Sequence, residues 1–119
     1  MFPRGRKLLL GVAGGISAYK SCDLLRRLQD EGFIVDVVPT AASLNFVGKA
    51  TWEALSGRNV VTDLWSDVTN VPHISLAKES DLIVIAPATA DLLAKLASGR
   101  ADDLLTNIVL ASTSPKILV

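Results

Sequence analysis

Four short apolar runs, each closed by glycine, proline or the end of the chain, constrain this sequence more than any other feature. They are KLLLGVA (residues 7–13), FIVDVV (33–38), DLIVIA (81–86) and KILV (116–119). Short runs without polar alternation suit strands whose two faces are both covered. Between the runs the period becomes helical. Over residues 17–31, Ala18, Cys22, Leu24, Leu25 and Leu28 share one side of a helix, and Lys20, Asp23, Arg27 and Asp30 take the other. Gly32 stands at the helix end and Pro39 stops the second strand.

The remaining connections are less regular. Residues 40–56 are helix-prone but broken, with Phe46, Trp52 and Leu55 as anchors and Gly57 as the stop. Val60 and Val61 suggest a short strand, and residues 67–70 a polar loop. Pro72 opens a helix reaching about Lys78. Leu92, Leu93 and Leu96 repeat at helical spacing up to Gly99, as do Leu104, Leu105, Ile108 and Val109 before Pro115. Strands alternating with helices give an α/β fold, a parallel sheet with helices on both faces. A chain of 119 residues accommodates one such domain, and because the fourth run meets the chain end, a domain truncated at its carboxyl end is expected.

Twelve basic residues balance twelve acidic ones. No global field therefore draws the chain to nucleic acid or to an anionic membrane, and no run approaches the roughly 18 apolar residues of a membrane span. The basic residues near the amino terminus precede an apolar run that is short and lacks a cleavage pattern, so a cytoplasmic location is expected. Cys22 is the single cysteine. It excludes an internal disulfide and a thiolate metal set, so no metal site is expected, and on the apolar side of its helix it reads as a small buried hydrophobe.

In parallel sheets ligands bind beyond the carboxyl ends of the strands. Gly14, Gly15, Ile16 and Ser17 follow the first strand and open a helix, where free N–H groups favour a phosphate; a tight strand-to-helix turn explains the glycines equally well. The dinucleotide spacing G-x-G-x-x-G is absent, and no acidic residue ends the second strand. Thr40, Ala41 and Ala42 stand there instead, which suits a mononucleotide phosphate. After the third strand, Pro87 to Asp91 carries small side chains beside which a planar heterocycle fits; Thr89 is also a natural helix cap. His73, the only histidine, is the one side chain that ordinarily titrates near neutrality. Trp52, Trp65 and Phe46 read first as core, and Asp102 and Asp103 as partners of a helix dipole.

The segments LLLGVAGGISAYK, VVPTAASLNFV, TWEALSGRNV and VPHISLAKESDLIVIAPATADLLAKLASGRADDLL, with the final KILV, resemble the flavin-dependent cysteine decarboxylases from residue 7 to the end. Within that group they are most similar to the decarboxylase half of the bacterial bifunctional phosphopantothenoylcysteine decarboxylase and phosphopantothenate–cysteine ligase. The resemblance implies a Rossmann-like (flavodoxin-like) FMN-binding domain over residues 1–119, incomplete at its carboxyl end. It implies FMN, with its phosphate at Gly14, Gly15, Ile16, Thr40, Ala41 and Ala42, its ring at Thr89, Ala90, Asp91 and Leu92, and His73 as the catalytic histidine.

It further implies decarboxylation of phosphopantothenoylcysteine to phosphopantetheine in coenzyme A biosynthesis, a homo-oligomer built on trimers, and a ligase domain downstream in the parent chain. Peptidyl-cysteine decarboxylases and non-catalytic flavin-binding regulatory modules resemble the sequence in the same way. The family often has Thr-Gly-Ser where Ala13, Gly14 and Gly15 stand, and Asn at Asp91; an aspartate carboxylate accepts hydrogen bonds but does not donate. The family's Pro-x-Met-Asn-like segment and its cysteine-bearing flap fall beyond Val119, so this polypeptide alone is expected to turn over little.

Overall fold

The structure, a computed structural model, describes residues 5–62 and 72–119, with side chains from residue 76 onward in the second stretch. The first apolar run forms β1 (Lys7–Val12), which lies between β2 (Ile34–Pro39) and β3 (Leu82–Ile85). β4 (Lys116–Leu118) follows on the far side of β3, giving a parallel sheet of order β2-β1-β3-β4. The register runs from Lys7↔Ile34 to Val12↔Pro39 on one side of β1, and from Leu8↔Leu82 to Gly11↔Ile85 on the other. This is the flavodoxin-like order, so the expected α/β class holds.

Helices cover both faces. A 3-10 turn, Ile16–Lys20, runs directly into α1 (Ser21–Asp30); α2 (Lys49–Ser56), α3 (Pro72–Glu79), α4 (Ala90–Ala97) and α5 (Leu104–Ala111) follow. The sheet divides the core in two. Leu8, Leu10 and Val12 of β1 pack with Leu25 of α1 and Trp52 of α2, whereas Leu9 packs with Leu92 of α4 and with Leu105 and Ile108 of α5. The period-two alternation of a strand thus feeds two separate clusters, and each fully buried leucine or isoleucine favours the fold by about 1.5–3 kcal/mol over an exposed one. Gly11 interrupts the run because Leu105 occupies its space: a β-carbon there would stand 2.6 Å from Leu105 Cδ1.

Several sequence expectations need correction. The first helix begins one residue early, and its opening turn is 3-10. Pro39 ends β2 from within, which an edge strand tolerates because no partner needs its missing N–H. Asp36 survives in that apolar run because Arg58 Nε donates to its Oδ1 at 2.6 Å. The broken segment resolves into a 3-10 turn, Ser43–Asn45, and α2. There Trp52 is fully buried, but Phe46 is half exposed because Val47 takes the core position. Val60 and Val61 form no strand; Val60 is buried against the first cluster, and its N–H donates to Glu53 Oε2 at 3.0 Å. Cys22 is half-buried rather than enclosed. Trp65 lies outside the described residues.

Candidate functional site

The connections leaving β1, β2 and β3 meet at one end of the sheet. Their positions are fixed by strand-end hydrogen bonds: the Ala13 N–H donates to the Pro87 carbonyl at 3.3 Å and the Thr40 N–H to the Val12 carbonyl at 2.9 Å. Ser21 Oγ ties α1 to the end of β3 by donating to the Ala86 carbonyl at 2.6 Å, and the Ala86–Pro87 peptide is cis. At Thr40 the chain turns: Ser43 N–H donates to Thr40 Oγ1 at 3.2 Å and Ser43 Oγ to the Thr40 carbonyl at 2.7 Å.

A cleft of about 460 Å³ opens between these turns and the starts of α4 and α5. Its walls include Gly14, Thr40, Ala41, Ala42, Thr89, Asp91 and Leu92. Three regions separated by dozens of residues are thereby brought together, as expected where connections diverge to opposite faces of a parallel sheet. Gly15 stands beside them, with its β-carbon position 3.6 Å from Pro87 Cγ and from Thr89 Cγ2. Ile16 and Ala90 do not line the cleft, and Ile16 is 82% exposed. The His73 backbone belongs to the first turn of α3, and its side chain lies outside the described residues.

The chemistry of the cleft is that of donors without partners. Among the described residues, no hydrogen bond engages the backbone N–H groups of Gly14, Gly15, Ile16, Ala41 or Ala42. Unpaired N–H groups grouped around small side chains attract an anion, most of all an oxyanion that accepts several bonds at once. At the start of α4, Thr89 Oγ1 caps the helix by accepting from the Leu92 N–H at 3.3 Å, so the cap expected for Thr89 is present.

Ala13, Lys95 and Asp103 also line the cleft; Lys95 was not singled out in the sequence, and Asp103 was read only as a partner of a helix dipole, a place at a helix start that it does hold. Asp103 caps α5 in a reciprocal box: its Oδ1 accepts from the Thr106 N–H at 2.8 Å, while Thr106 Oγ1 accepts from the Asp103 N–H at 3.2 Å. Lys95 Nζ lies 3.5 Å from both Asp91 Oδ2 and Asp102 Oδ1. Partial burial works to lower its pKa, but Asp102, Asp91 and Asp103 outweigh that and hold the ammonium above the ordinary lysine value. The spacing Asp-x-x-Thr and the i,i+4 pair Asp91/Lys95 were the available sequence signals.

The sequence profile of the Flavoprotein family matches residues 3–119. The chain belongs to the flavoprotein family. Relatives within it include the coenzyme A biosynthesis bifunctional protein CoaBC of Mycobacterium bovis, 53% identical over 110 residues that cover 92% of this chain and 26% of that protein. CoaBC of Vibrio vulnificus is 50% identical over 113 residues, 93% of this chain and 28% of its own length. The chain thus spans about a quarter of these curated relatives. Among solved structures, the FMN-dependent cysteine decarboxylase SpaF superposes with a TM-score of 0.89 at 36% identity, covering 95% of this chain and 66% of that one. A PPC decarboxylase mutant complexed with pantothenoylaminoethenethiol gives a TM-score of 0.79 at 33% identity, with 95% and 65% coverage. The cleft lies beyond the carboxyl ends of the strands, the end at which open parallel sheets bind their ligands.

Proposed function

We propose that this flavoprotein binds FMN in the cleft and serves, within a longer parent chain, in the decarboxylation of phosphopantothenoylcysteine to phosphopantetheine in coenzyme A biosynthesis. The observation that carries the reading is the set of N–H groups without a partner among the described residues, at Gly14, Ala41 and Ala42 on the cleft wall and at Gly15 and Ile16 next to it in sequence. They fit the phosphate. Small side chains at Gly14, Ala41 and Ala42 leave that end open, and the cleft volume lies within the range of small-molecule sites. The start of α4, from Thr89 through Ala90 and Asp91 to Leu92, is the wall beside which the ring would rest, with Thr89, Asp91 and Leu92 lining the cleft.

The chemistry FMN supplies when bound is reversible withdrawal of electrons from the substrate's cysteine moiety, which labilises the carboxyl group toward release as carbon dioxide. The chain's own residues hold and orient. Gly14, Gly15, Ile16, Thr40, Ala41 and Ala42 fix the phosphate, the start of α4 fixes the ring, and His73 moves a proton or pairs with the substrate carboxylate. The CoaBC relatives, at about half identity, support phosphopantothenoylcysteine over a peptidyl substrate. The same relatives support a ligase domain downstream in the parent and a cytoplasmic location; no helix among the described residues is long and apolar enough to cross a membrane. Assembly as a homo-oligomer built on trimers completes the proposal.

The first test is the visible spectrum of gently purified protein, with mass spectrometry of the ligand released on denaturation. FMN in the expected one-to-one amount supports the cleft; folded protein that takes up no added FMN overturns it. In the parent enzyme, His73→Ala is expected to keep the flavin and lose turnover, and full turnover in that variant removes His73 from the mechanism.

A further inference from the structure

Charge in the cleft is unevenly committed. Among the described residues its walls carry two carboxylates, Asp91 and Asp103, and one basic side chain, Lys95. Asp103 is spoken for, because its Oδ1 accepts from both the N–H and the hydroxyl of Thr106, at 2.8 and 2.7 Å. Lys95 is shared between Asp91 and Asp102, at 3.5 Å from each, and Asp102 is also held by Arg100 Nε at 3.4 Å. The two ties differ in strength. The Asp91 side chain is 81% exposed and that of Asp102 37% exposed, and an exposed ion pair contributes little because water competes for both charges.

Resting on the flavin reading above, we propose that Lys95 is a further cofactor-positioning residue: its ammonium leaves Asp91 to meet the electron-rich edge of the bound flavin ring, while Asp102 keeps it at the cleft wall. The ring is the target because Lys95 lies one helical turn beyond Asp91 on α4, the helix whose first turn carries Thr89, Asp91 and Leu92 into the cleft. The phosphate is already served by backbone donors on the opposite connections. Asp91 then acts as a competitor. It holds Lys95 back from the ring, and an uncharged amide in its place releases the ammonium without changing the shape of the wall. The neighbouring carboxylates keep Lys95 charged throughout the neutral range.

The test titrates the purified chain with FMN and with riboflavin, reading flavin fluorescence, for the native protein, Lys95→Met, Lys95→Gln, Lys95→Arg, Asp91→Asn and the Asp91→Asn/Lys95→Met pair. Lys95→Met and Lys95→Gln are expected to weaken both flavins by the same factor, about five- to tenfold, and Lys95→Arg by no more than about twofold. Asp91→Asn is expected to tighten both flavins about threefold in the native background and to do nothing beside Lys95→Met. The two-electron potential of bound FMN is expected to fall in Lys95→Met, by about 30 mV for a tenfold preferential loss of the reduced form.

Unchanged dissociation constants in Lys95→Met and Lys95→Gln overturn the proposal. So does a loss confined to FMN with riboflavin unaffected, which assigns Lys95 to the phosphate, or an Asp91→Asn effect of equal size in both backgrounds. A folded native chain that binds neither flavin is a different result, and it overturns the flavin reading itself.

Discussion

Gly14 and Ala42 approach so closely that a β-carbon on Gly14 would stand 2.5 Å from the Ala42 β-carbon and 3.0 Å from its carbonyl carbon. The connection after β1 and the connection after β2 are thus fitted to each other at the floor of the cleft. A methyl group at Gly14 has to displace backbone, and overpacking of that kind costs about 1–3 kcal/mol. Gly14→Ala is expected to lower stability by that order in urea unfolding and to weaken FMN at least tenfold.

Gly11→Ala provides the contrast. Its new methyl meets Leu105 Cδ1 at 2.6 Å and Cδ2 at 3.1 Å, and these are the ends of a side chain that can change rotamer. Equilibrium unfolding is expected to show a smaller loss than for Gly14→Ala, and FMN titration a dissociation constant within about threefold of native.

Removing the caps separates stability from binding. Asp103→Ala leaves the Thr106 N–H at the start of α5 without its acceptor, and Thr89→Ala does the same to Leu92 in α4. Each is expected to cost about 1 kcal/mol in chemical denaturation, with most of it recovered in Asp103→Asn and Thr89→Ser. Loss of Thr89 is also expected to weaken FMN more than loss of Asp103 does.

Burial raises the Cys22 thiol above its ordinary value; Arg26 opposes this and Asp23 adds to it. In the folded protein the thiolate is therefore scarcer at pH 8 than in an unfolded chain, and alkylation by iodoacetamide is expected to be slower in buffer than in urea. The linkage has a definite sign. Between the unfolded and folded pKa values the native state binds more protons, so the Cys22 contribution is present below the unfolded pKa and is lost as pH rises toward the folded one. Cys22→Ser is expected to flatten the alkaline fall in stability.

β1 and β3 were legible because each is covered on both faces and so needs no alternation: KLLLGVA and DLIVIA announce burial residue by residue. KILV, read in the same way, forms an edge strand that is exposed along its length. The strand-end turns were legible because glycine, alanine and proline clusters break off these apolar runs. Lys95 and Asp103 were not. Their place on the cleft wall depends on how α4 and α5 pack against the sheet, which no local pattern encodes. Phe46 was misplaced because its neighbour Val47 is equally apolar, and the 3-10 turn decides which of the two faces inward. Val60 was misread because β-branched residues suit a strand, whereas its N–H found Glu53 instead of a neighbouring chain.

β1 feeds both core clusters, and the Gly14 turn hangs from its carboxyl end. The two layers are consequently expected to unfold as a single cooperative unit. Amide protons along β1 are expected to exchange only when the whole domain opens. A ligand gripped by that turn then protects every layer equally, raising global unfolding free energy by the full RT ln(1 + L/Kd) for free ligand at concentration L.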